Sequence, residues 1–126
     1  MPEEAFEYKP TPEVMSFKEQ LLHIDGNMQW LSSSFLFVEK ETIKFDTTGL
    51  GKEAMLQYIS AAHDKAHHAH YNLTEKQLNE VVSFFAGPMT RRQILVLMHD
   101  HQTHHAGQLI MYLRMNSIKR VNYVGW

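Results

Sequence analysis

The feature that most restricts the fold of this chain is a signal for the start of a helix, which occurs three times. Each copy has a serine or threonine three residues before a glutamate or glutamine, the spacing of a capping box. The three pairs are Ser16 with Glu19, Thr74 with Gln77 and Thr90 with Gln93. Because each side chain of such a box bonds the backbone N–H of the other residue, a helix is favoured there before any tertiary contact forms.

Apolar residues recur along much of the chain at intervals of three and four, which predicts helices with one apolar face. The pattern predicts three long helices, at about residues 17–38, 52–72 and 91–115. A fourth, short helix is predicted at about residues 75–83, after the capping box at Thr74.

The segments between these helices are predicted to be connections. Three prolines in the first 12 residues predict an extended arm over residues 1–13, because proline lacks an N–H and disfavours helix in the residue before it. Three further segments are predicted to be irregular: a loop over residues 40–51, a turn at Gly87-Pro88 and a tail over residues 117–126. No segment alternates convincingly as a strand does, so we predict a single all-α domain of the helical-bundle type over residues 1–126.

The composition excludes several classes of function. The net charge is −2, without the basic excess that binding to a nucleic-acid backbone requires. No apolar run approaches the roughly 20 residues that cross a bilayer, and charged residues interrupt the first 20 positions, where a secretory signal would be apolar. The chain has no cysteine, which excludes disulfides, thiolate metal sites and cysteine nucleophiles. We expect a cytoplasmic protein that binds neither nucleic acid nor membranes.

Histidine carries most of the functional signal, because nine histidines occur in 126 residues and most of them are grouped. His101 and His105 lie four residues apart in the last long helix, on its predicted core face. Imidazoles at this spacing can both reach one metal ion at about 2.0–2.1 Å. The alternative is a polar layer of the bundle in which both imidazoles are hydrogen-bonded, and the spacing alone does not separate the two.

A third ligand for such an ion has to come from another helix, and His23 is the best candidate. His23 lies on the first helix beside its apolar stripe, on a face shared with Gln20, so its ring could turn inward. For a single histidine at such a boundary, a hydrogen bond to a backbone group is the more common arrangement.

The second long helix carries a rival group of histidines. His63, His67 and His70 are spaced i, i+4, i+7 and share one face, whereas His68 lies off it. Three ligands on one straight helix spread over about 10 Å of its axis, at about 1.5 Å per residue, which suits a single tetrahedral ion poorly. We interpret this face as solvated or interfacial, although a pair from it could bind metal adventitiously.

Two motifs of the chain resemble those of the DinB-like family. The stretch from Met98 to Leu109, continued by Tyr112-Leu113-Arg114, resembles a signature of histidine, three residues, His-x-Gly-Gln-Leu and a Leu-Arg pair. Earlier, Tyr8-Lys9-Pro10-Thr11-Pro12, followed by Ser16-Phe17 and Leu22-His23-Ile24, resembles an aromatic-basic-Pro-x-Pro arm that leads into a helix with a ligand histidine. The resemblance extends from about residue 2 to the end of the chain.

The resemblance implies a four-helix bundle, often dimeric, that holds a divalent ion with three histidines. Carried over by position, these are His23, His101 and His105. The ion implied is zinc or nickel, with iron or manganese as further candidates. Relatives include low-molecular-weight-thiol S-transferases, a thiol-dependent isomerase and metal-dependent hydrolases. Gln108 lies on the ligand face and is the candidate to orient a bound group or a water molecule.

The chain departs from the family pattern in three places. The arm stands almost at the N-terminus, where family members have a further helix, so the bundle is expected to lack the family's first helix. Ala106 replaces a common arginine, and Ser117 replaces a common helix-ending glycine. A missing helix would expose one side of the bundle, and Leu109, Ile110 and Leu113 add apolar surface to the last helix, so we expect a homodimer.

Two functions from different classes fit these residues. Three imidazole ligands leave a coordination position open, as in catalytic sites. A small thiol, which the cysteine-free chain would need as a cosubstrate, or a water molecule could then attack a small-molecule substrate, as in a metal-dependent thiol S-transferase or hydrolase. The alternative is a non-catalytic metal-binding module in which the ion stabilises the bundle or the dimer.

Overall fold

The computed structural model describes residues 1–37 and 49–119. A turn of 3-10 helix, Glu3–Ala5, is followed by α1 (Phe17–Phe35), α2 (Lys52–Tyr71), α3 (Glu75–Leu78), β1 (Val81–Phe84), β2 (Gly87–Thr90) and α4 (Arg91–Met115). The described part is therefore mostly helical, with three long helices and a short one as predicted. None of its helices is long and apolar enough to cross a membrane.

All three capping boxes form at the helix starts predicted for them. The Ser16 hydroxyl accepts from the N–H of Glu19 at 3.1 Å, and the Glu19 carboxylate accepts from the N–H of Ser16 at 2.6 Å. The same reciprocal bonds join Thr74 with Gln77 and Thr90 with Gln93. The starts of α1, α3 and α4 therefore depend on contacts within four residues.

The prediction of a chain without strands is wrong over residues 81–90. The helix predicted for residues 75–83 ends at Leu78, and β1 and β2 pair antiparallel from Val81 with Thr90 to Phe84 with Gly87. The turn lies at residues 85–86 rather than at Gly87-Pro88, and Gly87 has a φ of 119°, which glycine adopts without strain. Valines and phenylalanine favour a pleated strand, but four residues are too few for alternation to be recognised.

The predicted extended arm is also partly helical. Residues Glu3–Ala5 form the 3-10 turn, and Phe6 behind it is buried. The backbone carbonyls of Phe6 and Tyr8 accept hydrogen bonds from the first turn of α1, so this segment packs on the start of the helix. The loop predicted for residues 40–51 lies mostly outside the described residues, as do the predicted end of the first helix at residue 38 and most of the tail.

The end of α4 shows how this helix ends at a serine, where the resemblance described above led us to expect glycine. Ser117 has a φ of 58°, and its N–H bonds the carbonyl of Arg114 at 3.0 Å. The N–H of Ile118 bonds the carbonyl of Leu113 at 2.9 Å, which completes a Schellman motif. Ser117 therefore fills the left-handed position that glycine fills more readily.

Two apolar clusters form the core and are spaced along α1 and α4. The larger contains the buried residues Met28, Leu31, Leu36, Ala66, Phe84, Ile94 and Met98. The smaller contains Phe6, Phe17, Met55 and Tyr112. α1 and α4 run antiparallel, since Gln20 meets His105 while Ser32 meets Met98. A layer of polar side chains between the two clusters holds the candidate site.

Candidate metal centre

The packing of α1 against α4 brings together three histidines that are 78 and 4 positions apart in the sequence. His23 projects from α1, and His101 and His105 project from α4. One ring nitrogen of each lies within 4.8 Å of the others, and of the described residues these three form the group of histidines and carboxylates that could hold an ion. They are the same three that the sequence singled out.

The distances within the group suit ligands of one ion. Nε2 of His23 lies 3.1 Å from Nε2 of His101. Two nitrogens at about 2.05 Å from a tetrahedral ion are about 3.3 Å apart. Only a small shift would therefore bring the nitrogens of His23 and His101 to the separation of two ligands of one ion. The ring centroids of His101 and His105 are 4.5 Å apart, and those of His23 and His105 are 4.6 Å apart.

The orientation of the His105 ring is determined by two glutamine side chains. Its Nδ1–H donates to Oε1 of Gln20 at 2.6 Å and to Oε1 of Gln108 at 3.1 Å. An amide oxygen only accepts, so the proton of neutral His105 is on Nδ1 and the lone pair of Nε2 is available to a metal ion. Nε2 of Gln108 contacts Nε2 of His104 at 3.1 Å, which extends the network to the surface.

Gln20 is a residue of this site to which sequence reasoning gave no role. It is buried and lies on α1 three positions before His23, so the two share a helix face. Gln108, by contrast, was named as a candidate from its place on the ligand face. Ala106, where the resemblance led us to expect arginine, is exposed and supplies no charge.

Burial differs among the three histidines. His105 is buried, His101 is half-buried and His23 is exposed, so the group opens to solvent on the α1 side. Burial, and then the neighbouring His105, His23 and His104, lower the pKa of His101 from 6.5 to about 4. Burial and His23 also lower the pKa of His105, and the hydrogen bond that the ring donates to Gln108 opposes this shift. The rings of His101 and His105 are therefore neutral at pH 7, as metal ligands must be.

The histidines of α2 do not form a second such group among the described residues. His63 Nδ1 donates to the carbonyl of Ile59 at 3.0 Å, and His70 Nε2 contacts the hydroxyl of Ser32 at 3.0 Å. The sequence suggested a solvated or interfacial face, and the structure shows His67 and His68 exposed while His70 is half-buried and contacts Ser32 of α1.

Comparisons with known proteins give a family and a fold. The sequence profile of the DinB family matches residues 1–116 of the chain. A crystal structure of a DinB-like protein from Bacillus subtilis superposes with a TM-score of 0.73 at 23% identity, covering 95% of this chain and 81% of that one. Among curated proteins there is no significant match.

Proposed function

Since the chain belongs to the DinB family, we propose that it is a divalent-metal-dependent enzyme acting on a small molecule through His23, His101 and His105. The observation that carries the proposal is the convergence of their three ring nitrogens within 4.8 Å, from two helices. The reaction we propose is transfer of a low-molecular-weight thiol to an electrophile, or hydrolysis.

The donor set fits such an ion. Three imidazoles suit zinc and nickel, and they also bind iron and, less well, manganese. Three protein ligands are typical of catalytic zinc sites, whereas structural sites have four. The polar partners also fit, because Gln20 and Gln108 leave the Nε2 of His105 free to bind the ion.

Three side chains have defined roles in this proposal besides His101 and His105, namely those of Gln20, Gln108 and His23. The two glutamines hold the His105 ring in one tautomer and one orientation, so it needs no rearrangement to bind. The exposure of His23 gives a small molecule access from solvent. When bound, the ion acts as a Lewis acid that lowers the pKa of a thiol or a water molecule.

The sulfur must come from a cosubstrate, because the chain has no cysteine. In the transfer, the thiol proton passes to solvent and the sulfur bonds an electrophilic carbon of the acceptor. The leaving group of the acceptor departs with the electron pair of the bond that breaks. In hydrolysis, water takes the place of the thiol.

The test uses untagged protein loaded with zinc or nickel and offered a panel of small thiols with a chromogenic electrophile. A chromogenic ester tests hydrolysis in parallel. We expect turnover that His101→Ala abolishes and His68→Ala preserves, since His68 is an exposed histidine of α2. Metal-loaded protein that turns over no faster than His101→Ala with every substrate would contradict the catalytic proposal.

A non-catalytic role is the second candidate, and the placement of the histidines on two helices also supports it. An ion held by α1 and α4 would tie the two helices together, so its binding free energy would add to folding. This role predicts a large fall in melting temperature on chelation, together with no turnover of any substrate. The enzyme predicts turnover with a modest fall in melting temperature.

The homodimer and the cytoplasmic location remain part of the proposal. Leu109 and Leu113 pack against the smaller apolar cluster of their own chain, so less of the last helix is left for a partner than the sequence suggested. Exposed apolar residues remain on α4, including Met111 and Met115. Light scattering at micromolar concentration tests the dimer, and a monomeric mass would contradict it.

A further inference from the structure

Two side chains beside the candidate metal centre each bury a polar atom that has no hydrogen-bond partner among residues 1–37 and 49–119. One atom is Nδ1 of His101, on α4, and the other is Oδ1 of Asn27, on α1. Buried polar atoms are hydrogen-bonded in the great majority of cases, so each of these two needs a physical explanation. The first lacks an acceptor or a donor, depending on its tautomer, and the second lacks a donor.

The two residues lie along the same stretch of the interface. Asn27 is one turn after His23 on α1, and Nε2 of His23 is 3.1 Å from Nε2 of His101. Because the helices are antiparallel, the part of α1 after His23 runs beside the part of α4 before His101, where Ser32 meets Met98. Side chains of a helix tilt toward its N-terminus, so Asn27 tilts toward His23 and His101 tilts toward Met98. The side chains of Asn27 and His101 therefore tilt toward each other.

An ion at the centre determines which nitrogen of His101 carries the proton. A neutral imidazole has one N–H and one lone pair. Nε2 of His101 faces Nε2 of His23, so ligation uses the lone pair of this nitrogen and leaves the proton on Nδ1. The N–H of His105 is bonded by Gln20 and Gln108, whereas no described residue bonds Nδ1 of His101. The ligand form of His101 therefore requires a buried acceptor.

The side-chain oxygen of Asn27 matches this requirement. An amide oxygen only accepts, and this one is buried without a donor in the described part of the chain. Asn27 also corresponds to Gln20, since both are amides of α1 about one turn from His23. A bond between two atoms that are otherwise buried and unpaired removes the cost of both, and it forms only when the proton is on Nδ1.

We propose that Asn27 is the positioning residue of His101, whose Nδ1–H its side-chain oxygen accepts when Nε2 binds the ion. The bond selects the tautomer and the ring orientation that ligation requires, as the two glutamines do for His105. The inference rests on the metal centre of the proposed function and deepens it. It does not depend on the reaction that the centre supports.

Zinc affinity is measured by competition with a chromogenic chelator on the untagged full chain. Asn27→Leu keeps the branched shape of the side chain but removes the oxygen, and it should weaken zinc binding at least about tenfold. Asn27→Asp keeps an acceptor and should bind zinc at least as tightly as the wild type. Unchanged affinity in Asn27→Leu, or an equal loss in Asn27→Asp, would overturn the proposal.

Gln29→Leu is the matched control on the same helix. The amide of Gln29 bonds Asp25 and Tyr58 and no candidate ligand, so its loss should leave zinc affinity unchanged. A loss of zinc affinity in Gln29→Leu as large as that in Asn27→Leu would overturn the proposal, because any amide of α1 would then have the same effect.

Two further measurements separate positioning from a general structural role. In the metal-free protein, Asn27→Leu should not lower the free energy of unfolding, because it removes a buried oxygen that has no partner among the described residues. Nitrogen NMR of the zinc-bound wild type, which needs no variant, should show the proton of His101 on Nδ1 and in slow exchange with solvent. A large loss of metal-free stability in Asn27→Leu, or a proton on Nε2 of His101, would overturn the proposal.

Failure of this inference is distinguishable from failure of the proposed function. Wild-type protein that binds zinc but turns over no substrate would contradict the enzyme and leave the role of Asn27 intact, because zinc affinity alone measures that role. Turnover with unchanged zinc affinity in Asn27→Leu would overturn the role of Asn27 and leave the enzyme intact. Wild-type protein that binds no zinc would overturn both.

Discussion

The candidate metal centre and the histidine face of α2 contain the same residue type at similar helical spacings, yet only one converges. In the centre, His101 and His105 are one turn apart and His23 approaches them from an antiparallel helix, so three nitrogens meet within 4.8 Å. On α2, His63, His67 and His70 are all attached to one helix axis and bond different partners. The third nitrogen of the centre comes from a second backbone, because one helix spreads its side chains along its axis at about 1.5 Å per residue.

The two regions also differ in what holds their imidazoles. The buried ring of His105 is held by the amide oxygens of two glutamine side chains, Gln20 and Gln108. His63 bonds the backbone of its own helix, and His70 bonds a serine hydroxyl of α1. The hydrogen-bonded polar layer that was the alternative for His101 and His105 thus describes His70 well.

The largest expected effect is the difference in zinc affinity between a variant of the candidate metal centre and a variant of the histidine face of α2. His105→Ala should weaken zinc binding by at least about 100-fold, because it removes one of three ligands. His63→Ala should leave zinc affinity unchanged, because His63 lies outside the group. Competition with a chromogenic chelator on untagged protein measures both. Similar losses of zinc affinity in the two variants would contradict the prediction that zinc binds at the candidate metal centre and not on α2.

A smaller effect on zinc affinity is expected when the hydrogen-bond partner of an imidazole ring is changed instead of the ring itself. Gln20→Leu should weaken zinc binding about 10- to 100-fold, because His105 loses the closer of its two amide acceptors while the buried volume is nearly kept. Ser32→Ala, the matched change at the partner of His70, should not alter zinc affinity. Unchanged affinity in Gln20→Leu would mean that Gln108 alone orients His105.

Acidification should destabilise the metal-free protein mainly through the centre. Since the pKa of His101 falls from 6.5 to about 4 on folding, the unfolded chain binds the proton more readily between these values. Stability is therefore expected to decline as pH falls from about 6.5 to about 4. Burial and His67 also lower the pKa of His70. We measure the free energy of unfolding with denaturant at several pH values. Its dependence on pH should become flatter in His101→Gln than in His70→Gln, and the reverse order would contradict this prediction.

The smallest effect tests the α2 region by itself. Ser32→Ala removes a buried hydroxyl that contacts both His70 and Met98, and should lower the free energy of unfolding by about 1 kcal/mol. Urea unfolding of the metal-free protein measures this change. No loss of stability would show that solvent replaces the hydroxyl as the partner of His70.

Much of the helical fold followed from local patterns, but the hairpin did not. The capping boxes at Ser16, Thr74 and Thr90 act within one turn, and all three helices begin where they indicate. Residues 81–90 were misjudged because the two strands have four residues each. Their pairing is stabilised by contacts that the local pattern does not contain, including the packing of buried Phe84 into the larger cluster.

The sequence by itself determined where α1, α3 and α4 begin and that His101 and His105 share a helix face, because these depend on residues three or four positions apart. Only the tertiary structure decided that His23 meets this pair and that Gln20 bonds His105. Those contacts join residues 78 and 85 positions apart, and they exist because two apolar clusters clamp α1 against α4 on either side of the polar layer. The register of α1 against α4 is set by many weak apolar contacts, and no sequence motif encodes them.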